Sequence, residues 1–166
     1  MKSDALEQQE DRAYMEHALK LARRGMAEGE VPVGAVVVSE GRIVGEGWNR
    51  PISTHDPTAH AEIVALRDAA VRLGNYRLSD SSLYVTLEPC PMCAGAIVHA
   101  RVRRVVYAAP DPKGGAAGSV FDLLPTDQRF NHQVDVEGGL LQEQSSELLR
   151  DFFRQRRVQQ KANRQT

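Results

Sequence analysis

Apolar positions in the first part of the chain recur at a helical period. Met15, Ala18, Leu19, Ala22 and Met26 fall on one face and predict an amphipathic helix over residues 11–28. The period then shortens. Gly34-Ala35-Val36-Val37-Val38 and Ile43-Val44-Gly45-Glu46-Gly47-Trp48 are β-type runs on either side of Ser39-Glu40-Gly41-Arg42, which predicts a hairpin. A polar loop with two prolines, 49–57, leads into a second helix over 58–73 that ends near Gly74. Residues 82–87 read as a third strand, 90–99 as a third helix and 103–109 as a fourth strand driven by Val105, Val106 and Tyr107. A Gly- and Pro-rich loop, 110–118, precedes a short strand at 133–137. The last helix starts near Leu140 and takes its apolar side from Leu141, Leu148, Leu149, Phe152 and Phe153. No internal repeat is visible. Strands alternating with helices after a hairpin predict an α/β sheet covered by helices, with right-handed crossovers.

That order has a consequence for the helix ends. The second and third helices each follow a strand, so their N-termini are expected to emerge together at one edge of the sheet, where α/β proteins build their sites.

Length and composition add bounds. The chain of 166 residues, 42% hydrophobic, suits one domain with a core of its own. No apolar run is long enough to span a bilayer, and the polar, acidic start, Met1 to Glu10, reads as neither a signal nor a transit peptide. Both cysteines sit in one C-x-x-C, which points to metal or redox chemistry in a reducing compartment, with the cytoplasm as the default. The net charge of −1 is unevenly spread. Residues 1–147 hold 15 Lys/Arg against 21 Asp/Glu, whereas residues 148–166 hold six basic residues against Asp151 alone. A basic end on an acidic body suits a polyanionic partner reached locally; the plainer reading is a solvated helix.

The chemistry concentrates in His60-Ala61-Glu62 and, about thirty residues on, Pro89-Cys90-Pro91-Met92-Cys93. This is the signature already known for zinc-dependent nucleobase deaminases. Cys90 and Cys93, three apart on a helix, share a face, and a helix N-terminus favours their thiolates. His60 makes a third ligand. Three protein ligands leave the fourth position of a catalytic zinc for water, and Glu62, surplus to the ligand set, is placed to move that water's proton. One geometric condition applies: residues i and i+2 project about 200° apart on a helix, so His60 and Glu62 meet only if the site lies off the helix end. Asp56-Pro57-Thr58 supplies a cap and an initiating proline just upstream. A thioredoxin-like redox pair accounts for C-x-x-C alone but gives Glu62 no purpose. A four-ligand structural zinc needs another histidine, His55 or His99. His17 and His132 have no such context, and Glu88 is expected to brace its loop.

Taken together, these residues resemble the bacterial tRNA-specific adenosine deaminases of the cytidine deaminase-like superfamily. The resemblance runs from about Tyr14 to Arg157. It rests on residues 30–35 (EVPVGA), 45–51 (GEGWNRP), 55–63 (HDPTAHAEI), 86–96 (TLEPCPMCAGA), 114–119 (GGAAGS), Asn131-His132 and 151–154 (DFFR). It implies a three-layer α/β/α fold with a mixed five-stranded sheet, one zinc per subunit, a homodimer, no organic cofactor, and conversion of the wobble adenosine of an arginine tRNA anticodon stem-loop to inosine. The deaminase domain implied spans 12–158, between a flexible segment 1–11 and a flexible basic tail 159–166. Carried over by position, His60, Cys90 and Cys93 are ligands and Glu62 the proton shuttle; Asn49 contacts the base, Val33 and Ala61 form pocket wall, and Asp111 lies near the RNA backbone. Phe152 or Phe153 is expected near the loop bases, one of them packed inward, with Arg154, Arg156 and Arg157 on phosphates. Pro91 and the 111–115 loop depart from the family pattern without touching the ligands. The rival reading with the same zinc core is deamination of a free base or nucleoside, such as cytidine or guanine.

Overall fold

A mixed five-stranded sheet, in the order β2 (Arg42–Trp48), β1 (Gly34–Ser39), β3 (Ser82–Leu87), β4 (Arg104–Ala109) and β5 (Asp135–Gly138), forms the middle layer. The computed structural model describes residues 3–124 and 126–165. Its elements are α1 (Asp4–Ala27), β1 (Gly34–Ser39), β2 (Arg42–Trp48), α2 (Pro51–Thr54), α3 (Ala61–Leu73), β3 (Ser82–Leu87), α4 (Pro91–His99), β4 (Arg104–Ala109), β5 (Asp135–Gly138) and α5 (Gln142–Arg164). β1 runs antiparallel to both β2 and β3, while β3, β4 and β5 are parallel.

Alternation along the strands builds the other two layers. Ala35, Val37, Leu83, Val85 and Val105 point to one face, where α3 and α4 cover them with Ala61, Ala65, Ala69, Ala94 and Ile97. Val36, Val38, Tyr84 and Val106 point to the other, under Met15, Ala18 and Leu21 of α1. Side chains of this size, buried in full, each contribute about 1.5–3 kcal/mol. This is the three-layer arrangement expected. Small residues set the spacing: a Cβ on Gly47 would lie 2.4 Å from the Ala61 carbonyl oxygen. Only glycine lets α3 rest so close to β2, which brings the start of that helix to the sheet edge.

Polar groups tie the layers where apolar packing cannot. Asp11 of α1 accepts both Arg104 guanidinium nitrogens, at 2.9 and 2.7 Å, and the Tyr84 hydroxyl at 2.5 Å. Ser145 of α5 donates to the Thr86 carbonyl at 2.5 Å, fixing that helix on β3 beside the strand's C-terminal end.

Two boundaries differ from the sequence expectation. The first helix begins at Asp4, capped by the Ser3 hydroxyl and carrying Asp4 and Glu7 in its first turn, instead of near residue 11. The last helix continues to Arg164, beyond the expected domain limit at 158. Both extra stretches are almost wholly exposed, so no apolar period marks them. Residues 1, 2 and 166, which belong to the ends expected to be flexible, lie outside the described residues. Part of the 49–57 loop forms the single turn of α2, whose Ile52 and Ser53 N–H groups donate to buried Glu30 at 3.2 and 2.7 Å. Among the described residues, no helix is long and apolar enough to cross a membrane.

Candidate active site

The strand directions bring four connections to one edge. β2, β3 and β4 end there and the antiparallel β1 begins there. Asn49, Glu88, Asp111 and Val33 therefore meet, although they are spread over nearly eighty residues of sequence. A cavity of about 120 Å³ opens between them, lined by Val31, Val33, Asn49, His60, Glu62, Leu87, Glu88, Cys90 and Asp111.

α3 and α4 present their N-termini to this cavity in the same way. His60 and Cys90 are the residues just before each helix, both extended (φ −70°, ψ 155°; φ −79°, ψ 172°), and neither side chain caps its helix. That removes the geometric objection to the H-x-E pair. His60 is not on the helix, and it and Glu62 line the same cavity.

His60 Nδ1 lies 3.6 Å from the sulfur of Cys90 and 3.6 Å from that of Cys93. All three ligand atoms lie within 4.8 Å of one another. Tetrahedral zinc, with Zn–S near 2.3 Å and Zn–N near 2.0 Å, separates nitrogen and sulfur by about 3.5 Å. The donor set fits zinc, with Nδ1 as the histidine ligand, and among the described residues no other group of this kind occurs. His55 and His99, the residues a structural site would recruit, are both exposed and outside it. The two thiols behave oppositely: a hydrogen bond from Cys93 and the His60 partnership bring Cys90 down to about 4, while that bond and burial push Cys93 up. A zinc ion held by His60, Cys90 and Cys93 would favour the thiolate form of both.

Glu62 is 4% exposed and outside the ligand set. Burial pushes its carboxyl up to about 7, against a smaller pull from its own backbone N–H and from His60. A carboxyl poised near neutrality can both take and return a proton.

Asn49 is held from the backbone. Its Oδ1 accepts from the Ala61 N–H at 2.8 Å, which leaves the Nδ2 hydrogens as donors on a residue that lines the cavity. Ala61, the first residue of α3, is fully buried in the core and meets Asn49 through that N–H, whereas Val33 is cavity wall.

Glu88 organises the opposite rim. It is 2% exposed and accepts from the N–H groups of Asp111 (3.1 Å), Ala117 (2.9 Å) and Ser119 (3.2 Å), and from the Ser119 hydroxyl. Burial pushes its pKa up, but these donors outweigh burial and the carboxyl stays ionised below its ordinary range. A Cβ on Gly115 would fall 2.3 Å from this carboxylate, so the loop closes on Glu88 only with glycine there. The sequence singles out Glu88 as a loop brace, and the structure shows which loop. Asp111 lies at the cavity rim, its Oδ1 accepting from Lys113 N and Gly114 N at 3.0 and 3.3 Å.

Beyond the rim a groove of about 740 Å³ shares Val31, Leu87 and Asp111 with the cavity and is flanked by Pro112, Lys113, Arg150, Phe153, Arg154 and Arg157. The two phenylalanines divide. Phe152 is 7% exposed and Phe153 45%, edge-to-face at 5.3 Å. Arg156 lies over the Phe152 ring, 5.3 Å from its centre, and not in the groove.

The model of the cytidine and deoxycytidylate deaminase zinc-binding region matches residues 8–109. The tRNA-specific adenosine deaminase of Haemophilus influenzae is 53% identical over 152 residues, 91% of this chain and 87% of that protein. The chain belongs to the tRNA-specific adenosine deaminase family. A solved structure from work on A-to-I editing by tRNA:A34 deaminases at the wobble position aligns with a TM-score of 0.80 and 47% identity, over 82% of this chain and 99% of that one. A guanine deaminase from Nitrosomonas europaea aligns at 0.71 and 30% identity, over 85% of this chain and 83% of that one. As in the family, the metal is zinc, and His60, Cys90 and Cys93 are the residues that fit it.

For this family member, Glu88→Ala is expected to keep its zinc and raise KM for substrate by about tenfold or more. The change strands several buried donors, each costing about 1–3 kcal/mol, and the loop carrying Asp111 loses its anchor. Steady-state kinetics with metal analysis checks this; an unchanged KM means the loop stands without Glu88.

Proposed function

We propose that the protein deaminates the wobble adenosine of a tRNA anticodon loop to inosine, with an arginine tRNA as substrate. One observation carries the reading: the cavity holding Glu62 adjoins the larger groove flanked by Phe153, Arg154 and Arg157, sharing Val31, Leu87 and Asp111 with it. A deaminase of free bases has use for the cavity alone. The groove adds an exposed aromatic ring for stacking and cations for phosphate, the combination that single-stranded RNA recognition uses.

In this reading the target base leaves the stack and enters the cavity. When bound, zinc lowers the pKa of a water toward neutrality, which makes it nucleophilic at physiological pH. The chain's own side chains do the rest. Asn49, pinned through Oδ1, donates from Nδ2 to an acceptor on the purine, and Val33 closes an apolar wall. Glu62 takes a proton from the attacking water and passes it to ring N1 as the water oxygen bonds to C6. The remaining water proton travels through the same carboxylate to the amino nitrogen. Ammonia then departs as the C6–N6 bond breaks and the C6 carbonyl forms.

Phe153→Ala combined with Arg157→Ala is expected to raise KM for an anticodon stem-loop by tenfold or more, since stacking on one aromatic ring is worth about 1–3 kcal/mol. Zinc content stays unchanged. Kinetics indistinguishable from the parent protein would remove the groove from the RNA site. Arg156 is expected to contribute less than Arg157, because it stacks on Phe152 away from the groove.

The family resemblance also supports a homodimer and a cytoplasmic location, where reduced thiols and tRNA coexist. A shallow apolar strip between α3 and α4, bordered by Ile63, Leu66, Ala70 and Tyr76, is a face a second copy would cover. Sedimentation equilibrium finding only monomer contradicts the dimer.

A further inference from the structure

Beyond the groove, α5 carries a row of cations that the loop nucleotides do not account for. Arg150, Arg154, Arg157, Lys161 and Arg164 follow one another at spacings of four, three, four and three residues. At 100° per residue they fall within about 80° of arc, and at 1.5 Å per residue the row is about 21 Å long. Arg150, Arg154 and Arg157 line the groove; Arg154 and Arg157 also line a second depression with Val158, Gln160, Lys161 and Arg164. The row is therefore continuous with the substrate groove and leads away from it. Among the described residues, every residue lining the outer depression belongs to α5.

Charge along the row is weakly compensated. Arg150 approaches Glu143 only at 3.9 Å, and Arg154 meets Asp151 at 3.2 Å, both on the exposed surface. No Asp or Glu follows Asp151 in the sequence. Like charges three and four residues apart weaken a helix, and the outer turns of α5, exposed from Phe153 onward, draw little support from packing. An anionic partner along the row relieves both. The exposed surface here is also poor in apolar residues, with Val158 the single large one after Phe153, which does not suit insertion into a bilayer.

We propose that the outer part of this row, Lys161 and Arg164, binds the phosphate backbone of the double-stranded stem that flanks the edited loop. This rests on the tRNA reading above and extends it. The cavity takes the target base, the groove takes its neighbours, and the outer row contacts the stem by charge, without reading its sequence.

The test compares zinc-loaded full-length protein with Lys161→Gln/Arg164→Gln and with a charge-matched control on α1, Lys20→Gln/Arg23→Gln, whose side chains are also exposed. Binding is followed by fluorescence anisotropy from 50 to 200 mM salt, using an RNA hairpin with a loop adenosine and the loop sequence alone as a single strand. Losing two phosphate contacts lowers the salt slope by about two, so hairpin binding weakens about tenfold at 50 mM salt and little at 200 mM. The single strand and the control double variant show much smaller changes. Equal loss on hairpin and single strand, equal loss in the control, or an unchanged hairpin slope overturns the proposal. So does loss of binding to phosphatidylserine vesicles with RNA affinity intact. Failure of the parent protein to deaminate the hairpin counts instead against the tRNA reading, since the binding comparison is independent of turnover.

Discussion

Glu62→Gln is expected to bind zinc as the parent does and to lose about 10⁴-fold in turnover, the upper end of what general acid/base catalysis contributes. The reason is structural. Glu62 is buried beside the three ligands without belonging to them, and its carboxyl is held near 7 by burial. The isosteric amide preserves volume but can neither take the water's proton nor return it to N1 and the amino group. Because one carboxylate serves successive transfers, external bases are not expected to restore the rate. Elemental analysis showing zinc missing from Glu62→Gln would make it a ligand or a structural support; near-parental rates would remove it from the chemistry.

Cys93→Ala is expected to lose the metal and with it all measurable activity. Cys93 is fully buried, 3.6 Å from His60 Nδ1, and no other histidine, cysteine or acid among the described residues completes the set. Losing one of three ligands opens a thiolate site that the remaining two cannot hold in tetrahedral geometry. The fold itself is expected to persist, because two apolar clusters, one on each face of the sheet, carry most of its burial. Equilibrium dialysis against zinc, read beside the circular dichroism spectrum, checks both halves. Stoichiometric zinc in Cys93→Ala contradicts the ligand assignment.

Much of this architecture was legible from residue patterns because its strongest signals are physical periods. The β1–β2 hairpin, the buried strands β3 and β4, and the convergence of α3 and α4 all follow from alternation and connection order. Spacing picks out His60, Cys90 and Cys93 as candidate ligands with Glu62 beside them, and the structure brings these four residues together. Other features depend on contacts that sequence does not record. Whether His60 sits on its helix or just before it decides if H-x-E is workable, and that is set by where α3 starts in the folded chain. Glu88 could be marked as a brace, but its partners lie 23 to 31 residues away and are mostly backbone N–H groups, which no residue pattern displays. The outer turns of α1 and α5 were missed for the opposite reason. They bury almost nothing, so apolar periodicity is silent there.

The division between Phe152 and Phe153 shows the same limit at a finer scale. Adjacent positions on a helix point about 100° apart, so the pair can split between an inward and an outward position, and packing decides which. It is Phe152, and the exposed ring of Phe153 is left to the groove.

The central claim is that this zinc site serves an RNA loop and not a free base, although solved guanine deaminases share the fold. The most direct measurement is kcat/KM of the zinc-loaded protein on an arginine-tRNA anticodon stem-loop, on adenosine and on guanine, under one buffer. Binding energy from the groove has to orient the base, so free purines should lose maximal rate as well as affinity, in a way that higher concentration does not restore. The expected result is efficient inosine formation in the hairpin, with adenosine and guanine slower by at least about 10³-fold. Comparable kcat/KM for guanine or adenosine and the hairpin would contradict the account and make the protein a deaminase of free purines.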